Sequence, residues 1–192
     1  MNQFNSAAEL NDWLLAHGID TSTWGQSSKT KTVANLWAEI QRGETRLQMD
    51  PPLRHVQVVR VLVRRGDEVL IEARQLFRDG RDRLRNRLPS EKLKPGEDPL
   101  HAARRCLEEE MAIPPEKITI YPNTYRTRLV ETGSDSYPGL PCRYEFHLVE
   151  AAVPGLPSGS FSTEEQASGP GDPVSQHFWE WQPDKEAGQP VR

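Results

Sequence analysis

Two stretches near the start of the chain carry apolar residues at helical spacing. Leu10, Trp13 and Leu14 form one apolar stripe, and the segment Ser6-Ala7-Ala8-Glu9 before it has the pattern of a capping box. A second stretch runs from about Thr30 to Arg42. Its apolar residues recur at i, i+3, i+4 and i+7, as Val33, Leu36, Trp37 and Ile40. The sequence therefore predicts two N-terminal helices.

The rest of the chain consists mainly of short runs with the composition of β-strands. A Val-rich run at 56–64 is followed by the turn Gly66-Asp67 and a returning run at 69–73. Further strand candidates are 83–88, 118–121, 125–131, 143–150 and 177–181. One helix interrupts them, from about Pro99 to Met111, with Asp98 as its N-cap. The Gly-, Pro- and Ser-rich stretch 153–174 predicts a long flexible loop.

Length and composition indicate one domain with additions. A chain of 192 residues can bury a core without disulfides. We expect a helical extension at 1–50, a main domain at 51–182 and a loose tail at 183–192. The two N-terminal helices either pack on the main domain or form an interface, for a homodimer or for a protein partner.

Charge and cysteine content narrow the classes of partner. The net charge of −4 does not favour general nucleic-acid binding. Cys106 and Cys142 have neither metal-type spacing nor a disulfide framework, which suits a cytoplasmic protein. The first five residues include no basic region, so we expect no signal peptide, and no apolar run approaches the length of a membrane span.

The most informative motif lies on the helix predicted near the middle of the chain. Positions 106, 109 and 110 fall at i, i+3 and i+4, which share one helix face. Glu109 and Glu110 occupy two of these positions. Carboxylates there could bind Mg²⁺, which prefers oxygen ligands and substrate phosphates. Cys106, at the third position, is a poor ligand for such a hard cation.

The segment from Leu88 to Ile113 resembles the Nudix box, G-x5-E-x7-R-E-U-x-E-E-x-G-U, where U is a bulky aliphatic residue. Six of the nine defined positions agree, at Glu97, Arg105, Leu107, Glu109, Glu110 and Ile113. Glu91 and Ala112 stand at the two glycine positions, and Cys106 stands at a glutamate position. The resemblance implies a Nudix-like α/β/α sandwich with a mixed sheet, of the α+β class, preceded by the two N-terminal helices.

The resemblance also implies a function. Nudix proteins hydrolyse nucleoside diphosphates linked to another group with the help of Mg²⁺ or Mn²⁺. It implies metal ligands at Glu97, Glu109 and Glu110, with Arg105 orienting a neighbouring carboxylate. Cys106 removes one oxygen ligand and one negative charge, so we expect weak metal binding and weakened or lost catalysis. The alternative is a non-catalytic module that binds a phosphorylated ligand or a protein partner.

Two acidic features have two interpretations each. Glu91 either lends its carboxylate to the metal site or pairs with Lys92 or Lys94. Glu164 and Glu165, in the predicted C-terminal loop, either supply a catalytic base from outside the box or form a solvated pair.

The arginines before the box also have two interpretations. Arg83, Arg85 and Arg87 alternate along a predicted strand, so their side chains share one face. Together with Lys92 they either bind a phosphorylated ligand such as a nucleotide or pair with nearby acids. Arg126 and Arg128 would extend such a patch.

Overall fold

The computed structural model describes residues 4–27, 29–166 and 174–184. Within these ranges there are three α-helices, nine β-strands and one 3-10 turn, at Pro115–Lys117. The helices are α1 Ala7–Ala16, α2 Val33–Gln41 and α3 Pro99–Met111. The strands are β1 Arg46–Met49, β2 Pro52–Arg65, β3 Glu68–Phe77, β4 Asp82–Arg87, β5 Ser90–Lys92, β6 Thr119–Gly133, β7 Pro141–Ala152, β8 Phe161–Glu164 and β9 Val174–Pro183. The predicted α+β class is confirmed.

The chain divides into two compact units, each built from several stretches of sequence. The first unit comprises residues 1–58, 92–97 and 127–146. The second unit comprises residues 59–91, 98–126 and 147–192. The boundaries predicted at residues 50 and 182 stay predictions.

Polar side chains define the starts of the two N-terminal helices. Ser6 Oγ accepts a hydrogen bond from Glu9 N at 3.1 Å, as the capping-box pattern predicts. The Glu9 carboxylate accepts from Asn5 N, so the reciprocal half of that box does not form at Ser6. In α2 the complete box is made by Thr32 and Asn35. The helix therefore begins at Val33, three residues later than predicted.

The core of the first unit includes both N-terminal helices. Its buried members are Phe4, Leu10, Leu14, Ile19, Trp24, Leu36, Leu47, Tyr137 and Leu140. Trp13, Val33, Trp37 and Ile40 pack against this cluster and are partly buried. The apolar stripes of α1 and α2 therefore pack into this core. Their role as an interface for a second molecule stays a prediction.

The sheet places the third and ninth strands side by side. The strands follow the order β6-β7-β2-β3-β9-β8, and β4 also pairs with β3. β9 runs antiparallel to β3, with Glu72 opposite Trp179 and Gln75 opposite His177. Residues near the start and near the end of the second unit's sequence are therefore neighbours in the sheet.

Several strands differ from the prediction. β6 is one strand across 119–133 where two were predicted, because an end strand of a sheet tolerates Pro122. β5 was not among the predicted strands. β8, only four residues long, lies inside the predicted loop 153–174, and β9 extends to Pro183. Residues 167–173 of that loop and 185–192 of the predicted tail lie outside the described residues. No helix in the described ranges is long and apolar enough to cross a membrane.

Candidate active site

α3 carries the box acids and has the predicted bounds. Its first turn is capped by Asp98, whose Oδ1 accepts from Leu100 N at 2.9 Å and from His101 N at 3.2 Å. It ends at Ala112, which has φ 53° and ψ 33°, the left-handed conformation. Glycine adopts that conformation most readily, which explains why the box has a glycine at the position of Ala112.

Cys106 and Glu110 lie one helical turn apart on the buried side of α3. Their exposed fractions are 0 % and 4 %. Burial raises the pKa of the Cys106 thiol well above its usual value, and the nearby Glu110 carboxylate raises it further. Burial also raises the pKa of Glu110 well above its usual value, with a further contribution from Glu72. Burial therefore favours the neutral form of both groups.

Glu110 is the most unusual member of the site. Its Oε2 atom is buried and has no hydrogen-bond partner among the described residues. An unpartnered buried polar atom is costly, and native structures hold few of them. The position that would supply a neighbouring carboxylate is filled by the Cys106 thiol, which is only a weak hydrogen-bonding group.

A charged network from three strands and a loop lies in the same unit as α3. Glu72 on β3 receives hydrogen bonds on both carboxylate oxygens, from His177 Nδ1 at 2.6 Å and from Arg85 Nε at 2.9 Å. The other ring nitrogen of His177, Nε2, lies 2.9 Å from Glu165 Oε2. Burial alone would lower the pKa of His177, but its bonds with Glu165 and Glu72 raise it to about 10. Burial would raise the pKa of Glu72, yet His177 and Arg85 lower it.

Sequence patterns did not identify Glu72 and His177 as members of this network, and they left two roles open for Glu165. Glu72 is the one acid within the apolar run 69–73, and a buried charge in such a run is a signal that could have been followed. His177 alternates with Trp179 and Trp181 on a predicted strand, which places it on the buried face. Glu165 is not part of a solvated pair, because its side chain is 5 % exposed and contacts His177.

The arginines of β4 contact protein groups of the second unit. Arg85 pairs with Glu72, and Arg83 NH2 donates to Gln75 Oε1. Both contacts are made on the inner side of β3, whereas Leu84 is 83 % exposed. Burial lowers the pKa of Arg83 to about 10, and the positive charges of Arg85 and Arg87 add to this shift. Binding of a phosphorylated ligand by Arg83, Arg85 and Arg87 stays a prediction.

The remaining box residues divide between the two units. In the second unit Arg105 NH1 lies 3.0 Å from Glu109 Oε2 and 4.0 Å from Glu91 Oε1, and the orienting role implied for Arg105 stays a prediction. Glu91 lies in β5 and does not have a positive φ, so the first box glycine is replaced without backbone strain. In the first unit Glu97 Oε2 accepts from Lys94 N at 2.8 Å.

Lys92 also belongs to the first unit, where its ammonium group pairs with two acids. Its Nζ atom lies 3.0 Å from Glu39 Oε1 and 3.2 Å from Glu44 Oε2. Lys92 therefore pairs with one acid of α2 and one just after it, and the predicted pairing of Glu91 with Lys92 or Lys94 stays a prediction. The predicted contact of Lys92 with a ligand stays a prediction.

The first unit also contains a polar cavity of about 630 Å³. Its lining includes the basic side chains Arg46 and Lys94, the imidazole of His55 and the acids Glu44 and Glu145. Gln57, which also lines the cavity, donates from Nε2 to Glu145 Oε2 at 2.9 Å. Burial lowers the pKa of His55, and the positive charges of Arg143 and Arg46 lower it further. The cavity therefore combines a cationic part with hydrogen-bonding groups.

The acids of the second unit do not fit Mg²⁺ as they stand. Mg²⁺ requires several oxygen ligands in near-octahedral geometry. Glu109 is paired with Arg105, Glu72 is bound by two cations, and burial beside a thiol favours the neutral form of Glu110. In the parts of the chain that the structure describes, no three or more His, Cys, Asp or Glu residues are arranged to hold a metal ion.

Comparison with solved structures gave several Nudix hydrolases with low sequence identity. The Ap4A hydrolase of C. elegans in a binary complex is 21 % identical, over 68 % of this chain and 82 % of that chain, with a TM-score of 0.39. A NUDIX hydrolase from Nitrosomonas europaea is 17 % identical over 65 % and 70 %, with a TM-score of 0.41. The M. Smegmatis Nudix hydrolase RenU is 19 % identical over 76 % and 84 %, with a TM-score of 0.38.

Sequence comparison identifies the family more directly. No curated protein matches the chain. The model of the NUDIX domain matches residues 53–187, which is well over half of the chain. This range contains α3, the network around His177 and every position of the motif described above. The chain therefore belongs to the Nudix family.

Proposed function

We propose that this protein descends from Mg²⁺-dependent Nudix pyrophosphohydrolases and that its hydrolysis of nucleoside-diphosphate-linked compounds is weakened or lost. The observation that carries the proposal is the fully buried Cys106 at an acid position of the box, one helical turn from the buried Glu110. A thiol there offers a soft, protonated group where a hard cation needs an anionic oxygen.

The chemistry that is weakened or lost is the part that a divalent metal supplies. A bound divalent metal would neutralise the phosphates of the substrate and activate the attacking water. In this chain Arg105 holds Glu109, while His177 and Arg85 hold Glu72. The charges of these residues therefore neutralise one another, and few carboxylate oxygens remain to bind a metal.

Restoring the missing acid tests the proposal. We expect the wild type to convert ADP-ribose into AMP and ribose 5-phosphate with Mg²⁺ or Mn²⁺ no faster than a blank, and Cys106→Glu to raise the rate by at least about 100-fold. Cys106→Gln is the matched control, because it has the size of glutamate without its charge. Isothermal titration of each metal, with and without ADP-ribose, should show binding in Cys106→Glu alone.

One result would contradict the proposal directly. Metal-dependent turnover by the wild type, abolished by Glu91→Gln, would mean that the acid of β5 supplies the missing ligand. Glu91→Gly then serves as the companion variant, because it restores the box residue and removes the carboxylate.

The second candidate function is non-catalytic binding of a phosphorylated ligand. It is supported by the cavity of the first unit, where Arg46, His55 and Lys94 could contact phosphate and the Gln57–Glu145 pair could contact hydroxyl groups. We expect ADP-ribose to bind without metal and Arg46→Gln to weaken it about tenfold. Lys29→Gln, which removes a lysine that does not line the cavity, is the control. Equal affinity in all three proteins would exclude this cavity as the ligand site.

A further inference from the structure

His177 faces a carboxylate with each of its ring nitrogens. Nδ1 is 2.6 Å from Glu72 Oε1, and Nε2 is 2.9 Å from Glu165 Oε2. An ionised carboxylate only accepts hydrogen bonds, so two ionised carboxylates in these positions require hydrogen on both ring nitrogens, which is the imidazolium form. The side chains of His177, Glu72 and Glu165 are 1 %, 0 % and 5 % exposed, so water contributes little to their solvation.

The charges around the ring balance within the protein. Glu72 and Glu165 contribute two negative charges, and His177 and Arg85 contribute two positive charges. Glu110 also acts electrostatically on His177 and raises its pKa, while its own burial favours its neutral form. Buried charges are stable only when they are paired, and here they pair without an ion from solution.

The segment that carries Glu165 is also hydrogen-bonded to the C-terminal end of α3. Thr163 Oγ1 donates to Glu110 O, and Gln166 N donates to Glu109 O at 2.8 Å. These bonds satisfy two of the carbonyl groups that a helix leaves free at its C-terminal end. Glu165 lies between the two contacts in sequence, so its bond to His177 holds the segment from a third point.

We propose that His177 is a built-in cation that holds the buried acids of the second unit together in place of a divalent metal ion. It binds Glu72 on β3 and Glu165 on the segment after β8, and it thereby keeps that segment closed on α3. The inference rests on the proposed function, because a chain that no longer uses a metal must neutralise its buried acids by other means.

The first test needs no variant. Side-chain ¹⁵N spectroscopy of the wild type, recorded well above the ordinary pKa of histidine, should show His177 with hydrogen on both ring nitrogens. EDTA, Mg²⁺ and Mn²⁺ should leave both the spectrum and the Tm of the wild type unchanged. His55, whose pKa is lowered by burial, should show a neutral ring at that pH and serves as the internal reference.

The second test removes the cation. We expect His177→Gln to lower the Tm by about 10 °C, because two buried carboxylates lose a shared partner. Mn²⁺ should restore several degrees in this variant only. His177→Lys keeps a positive charge and should stay insensitive to the metal, which separates loss of charge from loss of ring packing.

A neutral His177 in the wild type would overturn the inference, and that measurement decides the matter even where the variants do not fold. A His177→Gln protein that folds and remains as insensitive to Mn²⁺ as the wild type would also overturn it. Metal-dependent turnover by a wild type in which His177 stays doubly protonated would instead overturn the proposed function alone.

Discussion

Arg54 NH2 lies 2.8 Å from Glu39 Oε2, and the two side chains are only 4 % and 2 % exposed. Glu39 also contacts Lys31 at 2.7 Å and Lys92 at 3.0 Å. Burial would raise the pKa of Glu39, but the three cations together lower it. One carboxylate of α2 therefore binds three cations, from the segment before α2, from β2 and from β5.

We expect Glu39→Gln to destabilise the protein by about 3–5 kcal/mol, because it leaves the buried Arg54 guanidinium without its counter-charge. Urea denaturation monitored by tryptophan fluorescence measures this. Glu44→Gln is the control, since Glu44 is a quarter exposed in its contact with Lys92 and should cost about 1 kcal/mol or less. Similar losses in both variants would mean that the burial of Glu39 is not the cause.

Ala112→Gly should stabilise the protein by about 1 kcal/mol. The alanine has φ 53°, a conformation that is unfavourable for any residue with a Cβ, and glycine relieves this strain at some cost in unfolded-state entropy. Ala103→Gly, inside the same helix, should have the opposite sign. A loss of stability in Ala112→Gly would contradict the left-handed cap.

Thr163→Val should cost about 2 kcal/mol. The Thr163 hydroxyl donates to Glu110 O and accepts from the buried Trp179 Nε1 at 2.8 Å, so valine leaves the indole donor unsatisfied. Thr163→Ser keeps the hydroxyl and should lose less than half of that amount. Thermal unfolding of the three proteins, together with hydrogen exchange at residues 163–166, checks both values.

The stability of the protein should fall as the pH rises from 6.5 towards 10. The folded-state pKa of His177 is raised to about 10 from the ordinary value of 6.5. Its contribution is complete below pH 6.5 and is lost as the ring deprotonates at higher pH, by at most about 5 kcal/mol. The free energy of unfolding of His177→Gln, measured across the same range, should show a smaller slope.

The elements that were predicted well are those with local signals. α3 follows from Asp98, Pro99 and a following Pro-Pro stop, and each of these acts on the adjacent backbone. β1, β5 and β8 have three or four residues each, too few to show a periodicity. The continuity of β6 through Pro122 depends on its place at the end of the sheet, which is a property of the fold and not of the segment.

The site was predictable only where its residues lie close together in sequence. Cys106, Glu109 and Glu110 are found by helical spacing on one short segment. The partnership of Glu72 with His177 joins residues 105 positions apart and depends on the antiparallel register of β3 and β9. No local pattern contains that register, so the network that neutralises the acids could not be read from the chain.

The first compact unit is assembled from three separated stretches, the last of which ends at Phe146. During synthesis at about 5–20 residues per second, α1 and α2 leave the ribosome several seconds before Tyr137 and Leu140, which complete their core. Until then, the leucines and tryptophans of these apolar stripes are in contact with water. Molecular chaperones that bind apolar surface would meet the nascent chain in this interval, and the helices near its start are the segments they would bind.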